Sequence, residues 1–390
     1  MSYLASGKQA VRATSSILRS ARVAGVSSRR FLHESSKASA VHAAAQPAMT
    51  PTHGPEIFSA PGAARPGVTP GTATAGRLNV PQGQLNIQKN LHKPEFYKAV
   101  SKIMAIRASY FEKRWAWIPA EEITEIVLGL GATQADLEAL PAVGDSLTLD
   151  PTLPFRKSVN GRYLFDYDND TLTRLEFQPF ALSVEEDFDR YDSGVLRRFN
   201  EVENNVQHNT VIQALLVFKS MIVHGIEIAN RPKMDYTSNK NIMTLFAVRT
   251  TTDENILGEP ALEGIHSDGV DHTMTTLLAT NNMRSDSAAT FMHAMEETTG
   301  IPLNSAKPEN IRARVQHTRF LDTLMIVDHE NKHSLSPVYQ DDMSREATRD
   351  MLILFTRKPC ESDHISGKID SQVPHRDLPM QIPLFVARTE

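Results

Sequence analysis

From Lys93 onward the apolar residues fall at helical spacing. Pro94 suits the first position of a helix, where its missing N–H leaves no intrahelical bond unmade. Phe96, Val100, Ile103, Met104, Ile106, Tyr110 and Phe111 then recur on one face and predict a long amphipathic helix up to about Trp117. A second helix is predicted over 120–128. A third follows Thr133, whose hydroxyl suits an N-cap, with Glu138 close behind. Beyond residue 160 the texture changes. Tyr163–Phe165 and Leu172–Phe180 read as strands joined through the turn-forming cluster Asp168-Asn169-Asp170. One more helix is predicted from Asn209 to His224, with Ile212, Leu215, Leu216 and Lys219 in period. Short apolar runs follow at 241–249, 272–279, 289–293, 312–318, 322–327, 334–338 and 349–356. Many short strands behind a few helices predict an α+β fold: a double-stranded β-helix (jelly-roll or cupin-like) core with the N-terminal helices packed outside.

The first 88 residues carry no such pattern. Residues 1–31 hold Lys8, Arg12, Arg19, Arg22, Arg29 and Arg30, no acid, and Ser and Ala between them. Ala10, Ile17, Ala21 and Ala24 gather on one side of a helical wheel, opposite Arg12, Arg19 and Arg30, while Leu18 and Val23 blunt the contrast. Arg-rich, Ser-rich and acid-free is the composition of a mitochondrial transit peptide, with a cleavage-like Arg29-Arg30-Phe31-Leu32, so the matrix is the expected address. Residues 32–88 are rich in Ala, Pro, Gly and Thr, with prolines recurring too closely for a helix or central strand. They predict a disordered linker. The folded domain is expected over 89–358. The proline-dotted extension 359–390 reads equally as a lid, a dimer contact or a surface strand.

Composition narrows the function. Net charge is −5, so no basic field points to nucleic acid, and no apolar run nears the roughly 20 residues that span a bilayer. A single Cys, Cys360, excludes an internal disulfide framework and a thiolate metal cluster, while 14 His leave ample imidazole. The chemistry gathers at Glu263-Gly264-Ile265-His266-Ser267-Asp268-Gly269. Residues i and i+2 of an extended chain point the same way, so His266 and Asp268 can reach one ion, with Gly264 and Gly269 letting the backbone bend. With one distal His, the pair makes a 2-His-1-carboxylate facial triad, which holds non-haem Fe(II) and leaves positions open for oxygen chemistry. His333 and His329 both follow the strand Leu324–Val327 and compete for the third place. Arg349 opens the apolar strand Arg349–Phe355. A cation there needs an anion, and a planar guanidinium matches a carboxylate such as C5 of 2-oxoglutarate. Arg345 and Arg357 are its rivals; Arg349 is preferred because it starts the strand on the side of the His333 loop.

Four segments occur in order: Gly194-Val195-Leu196-Arg197-Arg198-Phe199, Glu263 to Gly269, Asp328 through His333 to Pro337, and Arg349-Asp350-Met351-Leu352. Together they resemble the 2-oxoglutarate/Fe(II) dioxygenases that hydroxylate free aliphatic L-amino acids, the L-isoleucine 4-hydroxylase type, over roughly residues 90–358. The resemblance implies iron on His266, Asp268 and His333, 2-oxoglutarate on Arg349, O2 as oxidant and ascorbate as a supporting reductant. The family has an Asp five residues before its distal His and a Pro four after it; Asp328, His333 and Pro337 fit, which selects His333. The chain departs from the pattern at Leu262, Ser267, Ser287–Thr290 and the long stretch 296–310, all near where substrate should sit.

The expected reaction is hydroxylation of an unactivated C–H of a small substrate, most readily a free aliphatic L-amino acid, with release of succinate and CO2. Asp268 argues against a halogenase, since a small residue there would leave room for halide. Arg249, Glu263 and Asp271 are candidates for the substrate's ammonium and carboxylate. The alternative reading is a non-oxygenase cupin-like metal protein or isomerase, which would not need Arg349. No feature encodes an oligomeric state.

Overall fold

The computed structural model describes residues 83–182 and 193–386, all within one unit; the transit-peptide reading and most of the linker lie outside them. Among the described residues Leu85 and Ile87 are already buried, a few residues before the predicted domain start. Helix α1 (Pro94–Lys113) opens on its proline and stops at Arg114, whose φ of 64° is left-handed. The predicted continuation to Trp117 is not helical. Trp115-Ala116-Trp117-Ile118 instead forms strand β1 (Trp115–Ile118), with burial alternating at period two. The left-handed residue ends the α-period, and an unpaired strand edge waits within reach of the next four residues.

Helix α2 (Ala120–Leu130) leaves through Gly131, at φ 110°. Helix α3 (Gln134–Ala139) is capped by Thr133, whose hydroxyl accepts the Asp136 N–H. After the short α4 (Asn204–Gln207), helix α5 (Thr210–Val223) is buried at every position, so it shows no polar stripe to solvent. Its N-cap Asn209 accepts from the N–H groups of Val211 and Ile212. Lys219, in its middle, donates from Nζ to the carbonyls of His272 (3.0 Å) and Leu354, which satisfies an otherwise costly buried amine.

The remaining strands are β2 (Arg156–Asp166), β3 (Thr171–Leu175), β4 (Asn200–Glu201), β5 (Lys240–Thr252), β6 (His272–Asn281), β7 (Ala289–His293), β8 (Ile311–Gln316), β9 (Thr323–Val327), β10 (Lys332–Leu335), β11 (Ala347–Arg357) and β12 (Gln381–Pro383). Among the described residues they form two sheets. The larger runs β1-β9-β6-β11-β5-β2-β3-β12, antiparallel throughout, with β4 pairing β2 in parallel. The smaller runs β10-β7-β8, also antiparallel. The predicted strand Leu172–Phe180 is shorter than expected: past Leu175 the chain leaves the ladder and returns only for a single bridge between Phe180 and Arg197.

Parity divides the large sheet. Met243, Leu245 and Ala247 of β5, Leu352 and Leu354 of β11, and Met325 and Val327 of β9 join α1, α2 and α5 in the main core. The alternate residues face the other way: Phe246, Val248, Ile353 and Phe355 form one cluster, while Leu324 and Ile326 pack with Met292 of the small sheet and Trp115 and Trp117 of β1. The functional cavity lies on that second face. The tail after β11 is structural. β12 pairs with β3, Met380, Ile382 and Leu384 enter the core, and Asp370 receives both Arg162 (2.7 Å) and Arg357 (2.9 Å).

Gly129 sets how closely α1 and α2 meet. A Cβ there would stand 2.7 Å from Ala99 Cβ and 2.8 Å from Glu95 O. Gly129→Val is therefore expected to lower stability by about 1–3 kcal/mol through overpacking, read as a drop in unfolding midpoint. An unchanged midpoint would show that the helices can part freely.

Candidate functional site

His266 and Asp268 sit on the long connection from β5 to β6, and His333 on β10. His266 and His333 form an isolated bridge with reciprocal backbone bonds, each N–H donating to the other's carbonyl at 2.9 Å. The two imidazoles are thus spaced by the main chain itself. Gly264, at φ 79°, makes the bend before His266, where a Cβ would meet Ile301 O at 2.4 Å. The long stretch 296–310 braces this bend: Ile265 N donates to Ile301 O and Gly300 N to Ile265 O.

The side chains converge. His266 Nε2 lies 3.6 Å from Asp268 Oδ1, and His333 Nε2 lies 3.7 Å from Asp268 Oδ2. One ligand-type atom from each residue falls within 4.8 Å of the other two. Ligand atoms about 2.1 Å from one ion stand about 3 Å apart at right angles, so small side-chain adjustments suffice for a shared divalent ion. His266 Nδ1 donates to Gly264 O at 2.9 Å, which leaves Nε2 as the nitrogen turned to the shared position, where a bound ion would take the place of its proton.

Asp268 is itself held. Its Oδ2 accepts from Thr273 Oγ1 at 2.6 Å, and its N–H donates to Asp328 Oδ1 at 2.8 Å. Asp328 also accepts from Val270 N at 3.2 Å, so one buried carboxylate clamps the loop that carries another. Burial and the Asp268 charge push the Asp328 carboxyl upward. Asp268 moves downward: burial opposes its charge, but His333 and His266 outweigh that. Burial drives His333 down to about 4, whereas at His266 burial is overcome by Glu263 and Asp268, giving about 9.

The triad opens onto a cavity of ≈ 130 Å³ between the two sheets. Arg349 lines it from β11, on the same face as Met351, Ile353 and Phe355. It is 4% exposed, and among the described residues its Nε has no hydrogen-bond partner and no acidic group offsets its burial, which lowers its pKa to about 10. Beside it lies a residue that sequence reasoning missed. His317 is buried, bonds through Nε2 to Thr275 O at 3.2 Å, and is pushed down to about 3 by burial and then by Arg349. That imidazole is neutral at physiological pH. Thr275 and Thr290 also line the cavity, as do Arg156, Arg197 and a cluster of Phe180, Phe199, Phe246 and Phe355.

Of the proposed substrate contacts, Glu263 lines the cavity, but Arg249 and Asp271 do not. Arg249 shares the face of Leu245 and Ala247, and its guanidinium is bound by Asp350 (two contacts at 2.7 Å) and by Asp145. Asp271 lies on a separate polar groove, accepting from Tyr236 Oη and Lys358 N at 2.8 Å. The rival cations are also placed elsewhere: Arg357 pairs with Asp370 and Arg345 is exposed.

Comparison with known proteins agrees with this geometry. The model of the 2OG-Fe dioxygenase family matches residues 142–355. The chain is 44% identical over 302 residues to the bifunctional enzyme flvA of Aspergillus flavus, covering 77% of this chain but only 37% of that protein's length. Among solved structures, the Fe(II)/α-ketoglutarate-dependent dioxygenase TqaL is 48% identical, with 76% of this chain and 99% of that chain covered and a TM-score of 0.66. IDO from Bacillus thuringiensis, at 16% identity, covers 66% of this chain and 95% of its own, with a TM-score of 0.50, a likeness of fold.

Proposed function

Because this chain belongs to the 2OG-Fe dioxygenase family, we propose that it oxidises an unactivated C–H bond of a free aliphatic L-amino acid, with Fe(II) on His266, Asp268 and His333 and 2-oxoglutarate on Arg349. The chain is an enzyme that uses Fe(II), 2-oxoglutarate and O2. The observation that carries the assignment of residues is Arg349: a buried guanidinium without a counter-charge among the described residues, lining the same cavity as the triad. An unpaired buried cation is costly, and a ligand carboxylate relieves it. Two parallel N–H···O bonds from one guanidinium match a terminal carboxylate in geometry as well as charge.

Bound iron with its keto-acid supplies the oxidising chemistry, 2-oxoglutarate leaving as succinate and CO2. The chain's own residues do the rest. Gly264 O fixes the His266 tautomer, Thr273 and Asp328 orient Asp268, and neutral His317 adds no second positive charge beside Arg349. The apolar walls, Leu324, Ile326, Met351 and Ile353 among them, exclude water from the reacting bond. The cavity between two antiparallel sheets supports reading the fold as a double-stranded β-helix. A cupin-like non-oxygenase would have no use for Arg349 at that position. The Arg- and Ser-rich leader supports a mitochondrial matrix address, which an import assay on the full chain tests.

The substrate is tested directly. The protein with Fe(II), ascorbate and 2-oxoglutarate is expected to form succinate faster when one of the aliphatic amino acids is added, with a 16-Da gain in that amino acid if the outcome is hydroxylation. Succinate formation that no amino acid stimulates, across all twenty, would remove this substrate class.

A further inference from the structure

The cavity holds two cationic positions: Arg349 on β11 and Arg156 on β2 stand level on either side of β5, both opposite Thr250, and Arg197 also lines the cavity. Strands β2 and β4 run parallel, with Val159 opposite Asn200. Each arginine stands three residues before those partners, so the same count brings the two positions level, and both side chains line the cavity. Arg156 is held there by Asp150, whose Oδ2 accepts from its Nε at 2.7 Å. Among the described residues its terminal nitrogens make no hydrogen bond. Asp150 in turn is fixed by Ser158 Oγ and the N–H groups of Thr152 and Leu153. Arg197 is 6% exposed and lies over the Phe180 ring at 5.2 Å.

Two further features narrow what Arg156 and Arg197 take. Glu263 lines the cavity three residues before His266 and acts electrostatically on both proposed imidazole ligands, so an anionic side chain borders the metal position. Phe180, Phe199, Phe246 and Phe355 make a continuous apolar wall, with ring centroids 5.1–6.2 Å apart. The wall has no polar atom, so it suits an aliphatic group and rejects a charged one.

We propose that the substrate is bound as a zwitterion, its α-carboxylate across Arg156 and Arg197, its ammonium against Glu263, and its aliphatic side chain against the four phenylalanines. This deepens the dioxygenase reading above and rests on it. The two carboxylic acids that enter the cavity are sorted by charge: the dianionic keto-acid goes to the metal and Arg349, and the amino acid, with one carboxylate and one ammonium, goes where Arg156, Arg197 and Glu263 supply both cation and anion. Discrimination between them follows, because a second carboxylate on the substrate would lie against the phenylalanine wall unpaired.

The test uses the full chain, anaerobic, with Fe(II) and 2-oxoglutarate bound. The charge-transfer absorption of that complex reports loading, and its perturbation reports substrate entry. Probes are L-valine, L-leucine and L-isoleucine, each with its carboxamide and its analogue lacking the amino group. At least one amino acid is expected to perturb the band. Its two analogues should bind about 10- to 100-fold more weakly, the scale of a lost charge-assisted hydrogen bond. Arg156→Met and Arg197→Met should weaken the amino acid by a similar factor and shrink the gap between acid and carboxamide, while the band without amino acid keeps its 2-oxoglutarate dependence. Glu263→Gln should shrink the gap between the amino acid and its deaminated analogue. Equal binding of acid, carboxamide and deaminated analogue by the unmodified protein would overturn the proposal whatever the variants do. A normal band that none of the probes perturbs would overturn it alone; no band at all would overturn the iron and keto-acid assignment with it.

Discussion

Asp268→Ala is expected to lose iron binding and turnover together, by at least about 10³-fold in rate, or about 4 kcal/mol of barrier. Asp268 is the one anion among the three converging side chains, and its two oxygens face the two imidazoles at 3.6 and 3.7 Å. Removing an outer partner of a metal ligand costs about 10- to 100-fold; removing the charged ligand itself must cost more. The fold should survive. Asp328 binds the main-chain N–H groups of Asp268 and Val270, not the Asp268 carboxylate, so the loop keeps its clamp. The measurements are iron content after reconstitution and succinate formation, with circular dichroism as the check on folding. Full iron content and unchanged turnover in a folded variant would end the assignment of Asp268 to the metal.

Arg349→Met should act in two opposite directions. The variant should bind 2-oxoglutarate about 10²- to 10³-fold more weakly, the range for breaking a buried, hydrogen-bonded charge pair from one side. The same change should leave the ligand-free protein as stable or more stable. Arg349 is still charged at neutral pH, since burial brings it only to about 10. Without the keto-acid the folded chain carries a guanidinium that no acidic side chain among the described residues offsets, and methionine of similar reach removes that burden. Isothermal titration and thermal unfolding separate the two effects. A variant that loses stability and keeps its affinity would make Arg349 a structural residue.

The strand alternation in the sequence contained more of this site than its motifs did. On β11, Arg349 shares parity with Met351, Ile353 and Phe355, which face the cavity, while Asp350 shares parity with Leu352 and Leu354, which face the helices. The same count applied to β5 puts Arg249 with Leu245 and Ala247, on the helix side, where Asp350 meets it. Alternation along β5 is thus enough to exclude Arg249 as a substrate contact. It does not exclude Asp271, whose direction depends on where the chain turns into β6. His317 carries no local signal at all: it reaches Thr275 across the molecule from the loop after β8. Trp115–Ile118 misleads because its apolar residues fit the end of the α1 period as well as a strand, and only pairing with β9 decides. Of the candidate triad, spacing alone pairs His266 with Asp268; His333 is separated from His329 only by the family resemblance, and the bridge that aligns His266 with His333 depends on register between distant segments.

That bridge has a consequence for which ion arrives. Two imidazoles pinned at fixed separation by their own peptide groups need no cation to assemble them. Such a preformed socket discriminates poorly between divalent ions, and an N,N,O donor set favours copper over iron in intrinsic affinity. Loading with the working ion then depends on supply rather than on the protein's preference. Preparations exposed to copper or zinc are expected to be correctly folded, fully occupied and inert.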